Sequence, residues 1–130
     1  VPKFRVEITE TAQSDIWGIF QYIASDNQTA AINLIKEIER QINSLEIFPL
    51  RCPVIPESFE LGVEYRHIIY GHYRTIFKVE NSRVIIMRVI HGARLMDLEI
   101  FQKTFIVETL IPKAKRSGIG KLNNPAKRRV

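Results

Sequence analysis

The sequence predicts an α+β domain: an N-terminal strand, an antiparallel helix hairpin packed on an antiparallel β-meander, and a basic C-terminal extension. Three observations carry this expectation. Apolar residues recur at helical spacing in two stretches separated by only a few residues. Three β-rich runs follow, set apart by the two-residue segments Gly71-His72 and Asn81-Ser82. Positive charge collects at one end of the chain, outside those patterned segments.

Each element has its own signal. Phe4, Val6 and Ile8 alternate with Arg5, Glu7 and Thr9, as in a half-buried strand. Ala12, Ile16, Ile19, Phe20 and Ile23 then mark a first helix, with Thr11 placed to cap it and Asp15 near its positive end. Ser25-Asp26-Asn27 breaks that helix. Ala31, Leu34, Ile35, Ile38, Ile42 and Leu45 share one face of a second helix, which Pro49 bounds. So short a connection forces the two helices into an antiparallel hairpin. Residues 49–62 have the Pro/Gly composition of a loop. Runs 65–70, 73–80 and 83–91 form the meander, with Gly71 suited to a type II′ turn.

Composition narrows the function classes. The chain has 130 residues, 45% hydrophobic and 25% charged, which suits a single domain with a real core. No apolar run reaches a membrane span and no signal-peptide pattern opens the sequence, so the expected compartment is the cytoplasm and no membrane is expected as a partner. Cys52 is the only cysteine, which excludes an internal disulfide and a cysteine-built zinc site. No metal or other cofactor is expected. Residues 1–98 carry 11 basic and 12 acidic side chains, whereas 112–130 carry seven basic and no acidic ones. The net charge of +5 therefore describes a tail. The boundaries expected are a domain over 1–98 and a flexible extension over 99–130, basic from 112. That tail suits contact with nucleic-acid phosphates, although a solvated end is the plainer reading.

Two-residue turns fix the register by arithmetic: Arg74 should face Val89 and Ile69, and Lys78 should face Ile85 and Tyr65. One sheet face then shows Ile68, Phe77, Val79, Val84, Ile86 and Ile90, with Arg66 and Arg88 as structural cations whose heads reach carboxylates. The other gathers Tyr65, His67, Arg74, Lys78, Val89 and His91, and this is the face expected to act. Glu57, Glu60 and Glu64 flank the sheet and are candidate general bases for His91. Glycine-rich phosphate loops, HExxH motifs and nucleophile elbows do not occur.

The ordered set Phe4 to Ile8, Tyr65-Arg66, Tyr73-Arg74-Thr75-Ile76-Phe77-Lys78-Val79 and Ile85-Ile86-Met87-Arg88-Val89-Ile90-His91-Gly92-Ala93-Arg94 resembles the ParE/RelE superfamily of toxins from type II toxin–antitoxin modules. The resemblance covers roughly residues 3–98. It implies a growth-inhibiting toxin neutralised by a cognate antitoxin protein. It leaves two targets: ParE-like members inhibit DNA gyrase, and RelE-like members are metal-independent endoribonucleases that cut messenger RNA on the ribosome. Whether the chain is an enzyme stays open at this point.

For a nuclease, the resemblance makes Arg74, His91 and Arg94 the catalytic candidates, with Glu57 or Glu60 as the glutamate of the YoeB-like branch. Ile100 stands near a late tyrosine of RelE-like nucleases, and their lysines around the second strand are missing. His67, Tyr65 and Lys78 are the expected target-binding residues. RNA cleavage needs a base, an acid and positive charge at the phosphate. A near-neutral domain without a well-placed base favours the gyrase-directed reading.

Overall fold

The computed structural model describes residues 1–92 and the strand Ile106–Thr109. In chain order the elements are β1 (Arg5–Thr9), α1 (Glu10–Ala24), α2 (Gln28–Ser44), a 3₁₀ turn (Pro49–Arg51), α3 (Ser58–Leu61), β2 (Arg66–Tyr70), β3 (Tyr73–Glu80), β4 (Arg83–His91) and β5 (Ile106–Thr109). The strands form one mixed sheet in the order β2-β3-β4-β1-β5, with β1 parallel to β4 and the other pairs antiparallel. The α+β class and the helix hairpin on a meander are as expected.

Strand β1 runs into α1 without a linker, and this moves the cap. Thr9, not Thr11, ends the strand in an extended conformation and accepts the Ala12 N–H on its Oγ1 at 3.1 Å. The same hydroxyl lies 2.9 Å from the Ile86 carbonyl and 3.1 Å from that of Met87, so the cap also ties helix to sheet. Asn27 caps α2 through the Ala30 N–H. The isoleucine stripes of both helices meet Val6, Ile8, Phe77, Val84, Ile86 and Val89 in the larger core.

One residue upsets the predicted register. Between Ile76 and Phe77 the β3–β4 ladder shifts: Phe77 faces Ile86, but Ile76 faces Arg88 and Arg74 faces Ile90. Strand β4 thus contains an extra residue, Met87, in a β-bulge. Beyond it Val89, Ile90 and His91 change face. Val89 joins the helix-side core and Ile90 the opposite one, the reverse of the sequence expectation. His91 pairs with Tyr73 and moves off the Arg74 face with it. Near the bulge, Asp15 receives Arg88 Nε at 2.7 Å, Arg88 Nη2 at 2.9 Å and the Val89 N–H at 2.9 Å. Asp15 is therefore a ligand of the bulge rather than a partner of the helix dipole. Arg66 is also structural, donating to Cys52 O at 2.7 Å and Glu64 at 2.9 Å.

The second sheet face is not left to solvent. The segment after α2 crosses it and lays Ile55 and Leu61 over Tyr65, Ile76, Ile85, Met87 and Ile90. Part of that segment, Ser58–Leu61, is the short helix α3, closed by Gly62 at φ +73°. The outer edge of β2 is partly occupied as well: the His67 N–H donates to Pro53 O at 3.2 Å and Gln41 Nε2 to Ile69 O at 3.3 Å. The outer edge of β1 carries β5, with Ile8 opposite Glu108. The sequence-derived boundary at residues 98/99 lies outside the described residues.

Candidate functional site

The site is built by stitching one loop to one strand. Val54 forms a bridge with Arg66, Ile55 N–H donates to Tyr65 O at 2.9 Å, and Ser58 Oγ accepts the Tyr65 N–H at 2.9 Å. Those bonds fix residues 54–58 against the start of β2 and leave Glu57 over β3. There it meets Arg74: Nη2 to Oε2 is 2.5 Å and Nη1 to Oε1 is 3.3 Å. The side chains are 7% and 18% exposed, so the pair sits largely out of water. His67, one strand over, places Nδ1 3.5 Å from Arg74 Nη1.

Pro56, Glu57, His67, His72, Arg74 and His91 line a cleft of about 740 Å³ at the Gly71-His72 end of the sheet. Gly71 has φ +58°, the left-handed geometry required at the first position of a II′ turn. The turn brings His72 against His91, ring centroids 5.8 Å apart and nearly parallel, while Tyr73 meets His91 edge-on at 5.7 Å. The bulge turns His91 toward α1, so it stands at the rim, between the cleft and a smaller groove lined by Asp15, Gly18 and Tyr22.

Burial and the adjacent Arg74 guanidinium lower the His67 pKa, with Glu57 opposing. His67 is therefore held toward its neutral form, which can accept a proton or a hydrogen bond. Among the described residues lining the cleft, Glu57 is the acid and Arg74 the strong base, and they pair with one another. Among the described residues, no group of three His, Cys, Asp or Glu side chains could hold a metal ion.

Of the residues the sequence singled out, the structure brings Arg74, His67 and His91 to the cleft. Tyr65 is instead buried in the second core, where burial raises its pKa. Lys78 is two same-face steps along β3 from Arg74, roughly 13 Å, and pairs with Glu80 at 3.1 Å. Of the three flanking glutamates only Glu57 lines the cleft; Glu64 pairs with Arg66 and Glu60 is exposed on α3. Arg94, Ile100 and the tail lie outside the described residues. Cys52 is buried, which raises its thiol pKa. Sequence reasoning weighed Glu57 equally with two others, and it missed Asp15 as the partner of Arg88. Val84 to Met87 is apolar at every position, so the sequence held no alternation that could have marked the bulge.

The sequence model of the family described as ParE toxin of type II toxin-antitoxin system, parDE, matches residues 6–96. That span includes α1 to α3, β2 to β4 and all of β1 but Arg5. No curated protein matches the chain.

Proposed function

The chain belongs to the ParE toxin family of type II toxin–antitoxin systems, and on that premise we propose that it arrests growth by binding DNA gyrase rather than by cutting messenger RNA. Membership implies a cognate antitoxin as its partner. The observation that carries the target reading is the state of Arg74. A nuclease needs that cation directed at the phosphate in the transition state. Here its guanidinium is largely buried and occupied by Glu57, so the described residues lining the cleft present no net charge from this pair to a phosphodiester. His91, the other acid–base candidate, is turned away from the Arg74 face by the bulge. A buried, neutralised arginine serves to hold the loop over the sheet, and so to shape a surface for protein contact. The described residues include no helix long and apolar enough to cross a membrane.

One observation favours the alternative, a ribosome-dependent endoribonuclease: Glu57, a neutral His67 and Arg74 share one cleft with His91 at its rim. A target carrying its own cations could release Glu57 from Arg74 and make it a base. Two measurements on induced cells and purified protein separate these readings. The gyrase reading expects growth arrest with intact transcripts and inhibition of gyrase supercoiling by the purified chain. New transcript 5′ ends inside translated frames, lost in a folded Arg74 variant, would establish the nuclease instead.

A further inference from the structure

Between α2 and the loop stitched to β2, the chain forms a knuckle for which its own fold supplies no reason. Phe48 has φ +50° and ψ +51°, a left-handed backbone that a side chain with a Cβ disfavours. Such a conformation persists only where its surroundings over-determine it. Asn81, the other non-glycine residue with positive φ among those described, is explained by its turn. The Phe48 ring is nonetheless 62% exposed, with Leu50 and Ile47 beside it at 56% and 39%. Among the described residues, neither core includes any of the three. Phe59 is more exposed still, but it stands on α3 without a strained backbone.

The knuckle is held by polar groups. Arg51 donates from Nη1 to Ile47 O at 2.7 Å and Phe48 O at 3.0 Å, and from Nη2 to Ser44 Oγ at 2.9 Å. Arg66 donates from Nη1 to Cys52 O at 2.7 Å and Leu50 O at 3.3 Å. Pro49, buried between them, fixes φ at the start of the 3₁₀ turn. Two guanidiniums and a proline therefore set three apolar side chains facing outward.

We propose that this knuckle is a preorganised anchor, inserted into an apolar pocket of the protein that the chain inhibits, and that the rim of that pocket carries carboxylates. The proposal rests on the reading that the chain acts by binding a protein; residues 47–51 are separate from those lining the Glu57–Arg74 cleft. Protein interfaces concentrate aromatic side chains and arginines, and a few of them carry most of the affinity. Holding them rigid before contact removes the ordering cost of binding. The acidic rim follows from Arg51, whose partners are two carbonyls and a hydroxyl, none of which cancels its charge. Glu64 already answers Arg66. A lipid surface fits worse, because a loop that enters one keeps its cations for the headgroups. Here both arginines bind the loop's own carbonyls.

The test compares the full chain with its double variant Phe48→Asn, Leu50→Gln, which keeps a residue tolerant of left-handed backbone and removes both apolar tips. The readouts are inhibition of gyrase supercoiling, growth arrest on induction, and Tm. The variant should inhibit about thirtyfold more weakly or worse and should not arrest growth, with Tm no lower than before. Equal inhibition by the two proteins would overturn the anchor and leave the gyrase reading standing. If the unaltered chain does not inhibit gyrase, that reading fails and growth arrest decides. Arrest lost in the variant then upholds the anchor; arrest kept overturns it, as does an unaltered chain that causes none. A markedly lower Tm would show that the knuckle serves this chain's own core and would overturn the proposal. So would capture of the unaltered chain by phosphatidylserine vesicles that the variant loses.

Discussion

Cutting the Glu57–Arg74 pair one side at a time, and then both, tests whether that arginine holds the fold or acts on a substrate. The pair has two hydrogen bonds, at 2.5 and 3.3 Å, and side-chain exposures of 7% and 18%. Removing one member of a buried pair leaves an uncompensated charge and costs about 3–5 kcal/mol. Glu57 keeps some access to water, so Arg74→Met or Glu57→Leu alone should cost about 2–4 kcal/mol. The double variant replaces both charges by apolar groups of similar size and should recover most of that, giving a coupling energy of about 2 kcal/mol. Urea unfolding of the four proteins measures the cycle, and each single variant should lower Tm by roughly 10–20 °C. The same proteins are then induced in cells. A pair that only clamps the loop predicts that the double variant still arrests growth. Additive single effects, with coupling below about 0.5 kcal/mol, would refute the clamp. A stable double variant without toxicity would refute binding as the mechanism and point to chemistry at Arg74.

Further outcomes follow from the same geometry. Asp15→Ala removes both Arg88 bonds and the acceptor of the Val89 N–H at side-chain exposures of 10% and 14%; it should cost about 3–4 kcal/mol in urea unfolding. Thr9→Val keeps the shape but loses the cap and the link to β4, which should cost about 1–2 kcal/mol by the same assay. His67 has a lowered pKa in the folded chain, so the unfolded chain binds its proton first as pH falls. The stability from its neutral form is complete above its ordinary value of about 6.5 and is lost as pH drops through that value toward the folded one. His67→Asn should therefore flatten the fall in Tm between pH 7 and 5, and an unchanged profile would contradict the burial argument.

Local patterns carried the fold as far as local patterns reach. The two turns were legible because Gly71 and Asn81 permit positive φ, and the structure has φ +58° and +57° there. The helix faces were legible from isoleucine spacing. The bulge was not, because Val84 to Ile90 is apolar at every position except Arg88, and so unbroken a run has no alternation to fall out of step when a residue is added. Its effect was large for one candidate, His91, whose face depends on a parity that Met87 reverses. Glu57 was hidden for a different reason. Its position is set by bonds between residues 54–58 and the start of β2, and long-range stitching of a loop has no periodicity to read. The strand Ile106–Thr109 was likewise unread, since four residues next to a charged tail give too short an alternation to count.

The partners already bonded along β2 and β1 have a consequence for how the molecule distinguishes others. Pro53 and Gln41 take up His67 N–H and Ile69 C=O on one side, and β5 lies along β1 on the other. A polypeptide that extends a sheet is recognised through main-chain atoms, which every sequence shares, and side chains only refine the choice. With those positions taken, discrimination shifts to shape and chemistry that a single codon can alter. A cell housing several toxin–antitoxin modules needs each neutraliser to ignore the other toxins. Such insulation is more readily maintained, and more readily rewritten, where those main-chain positions of β2 and β1 are already taken.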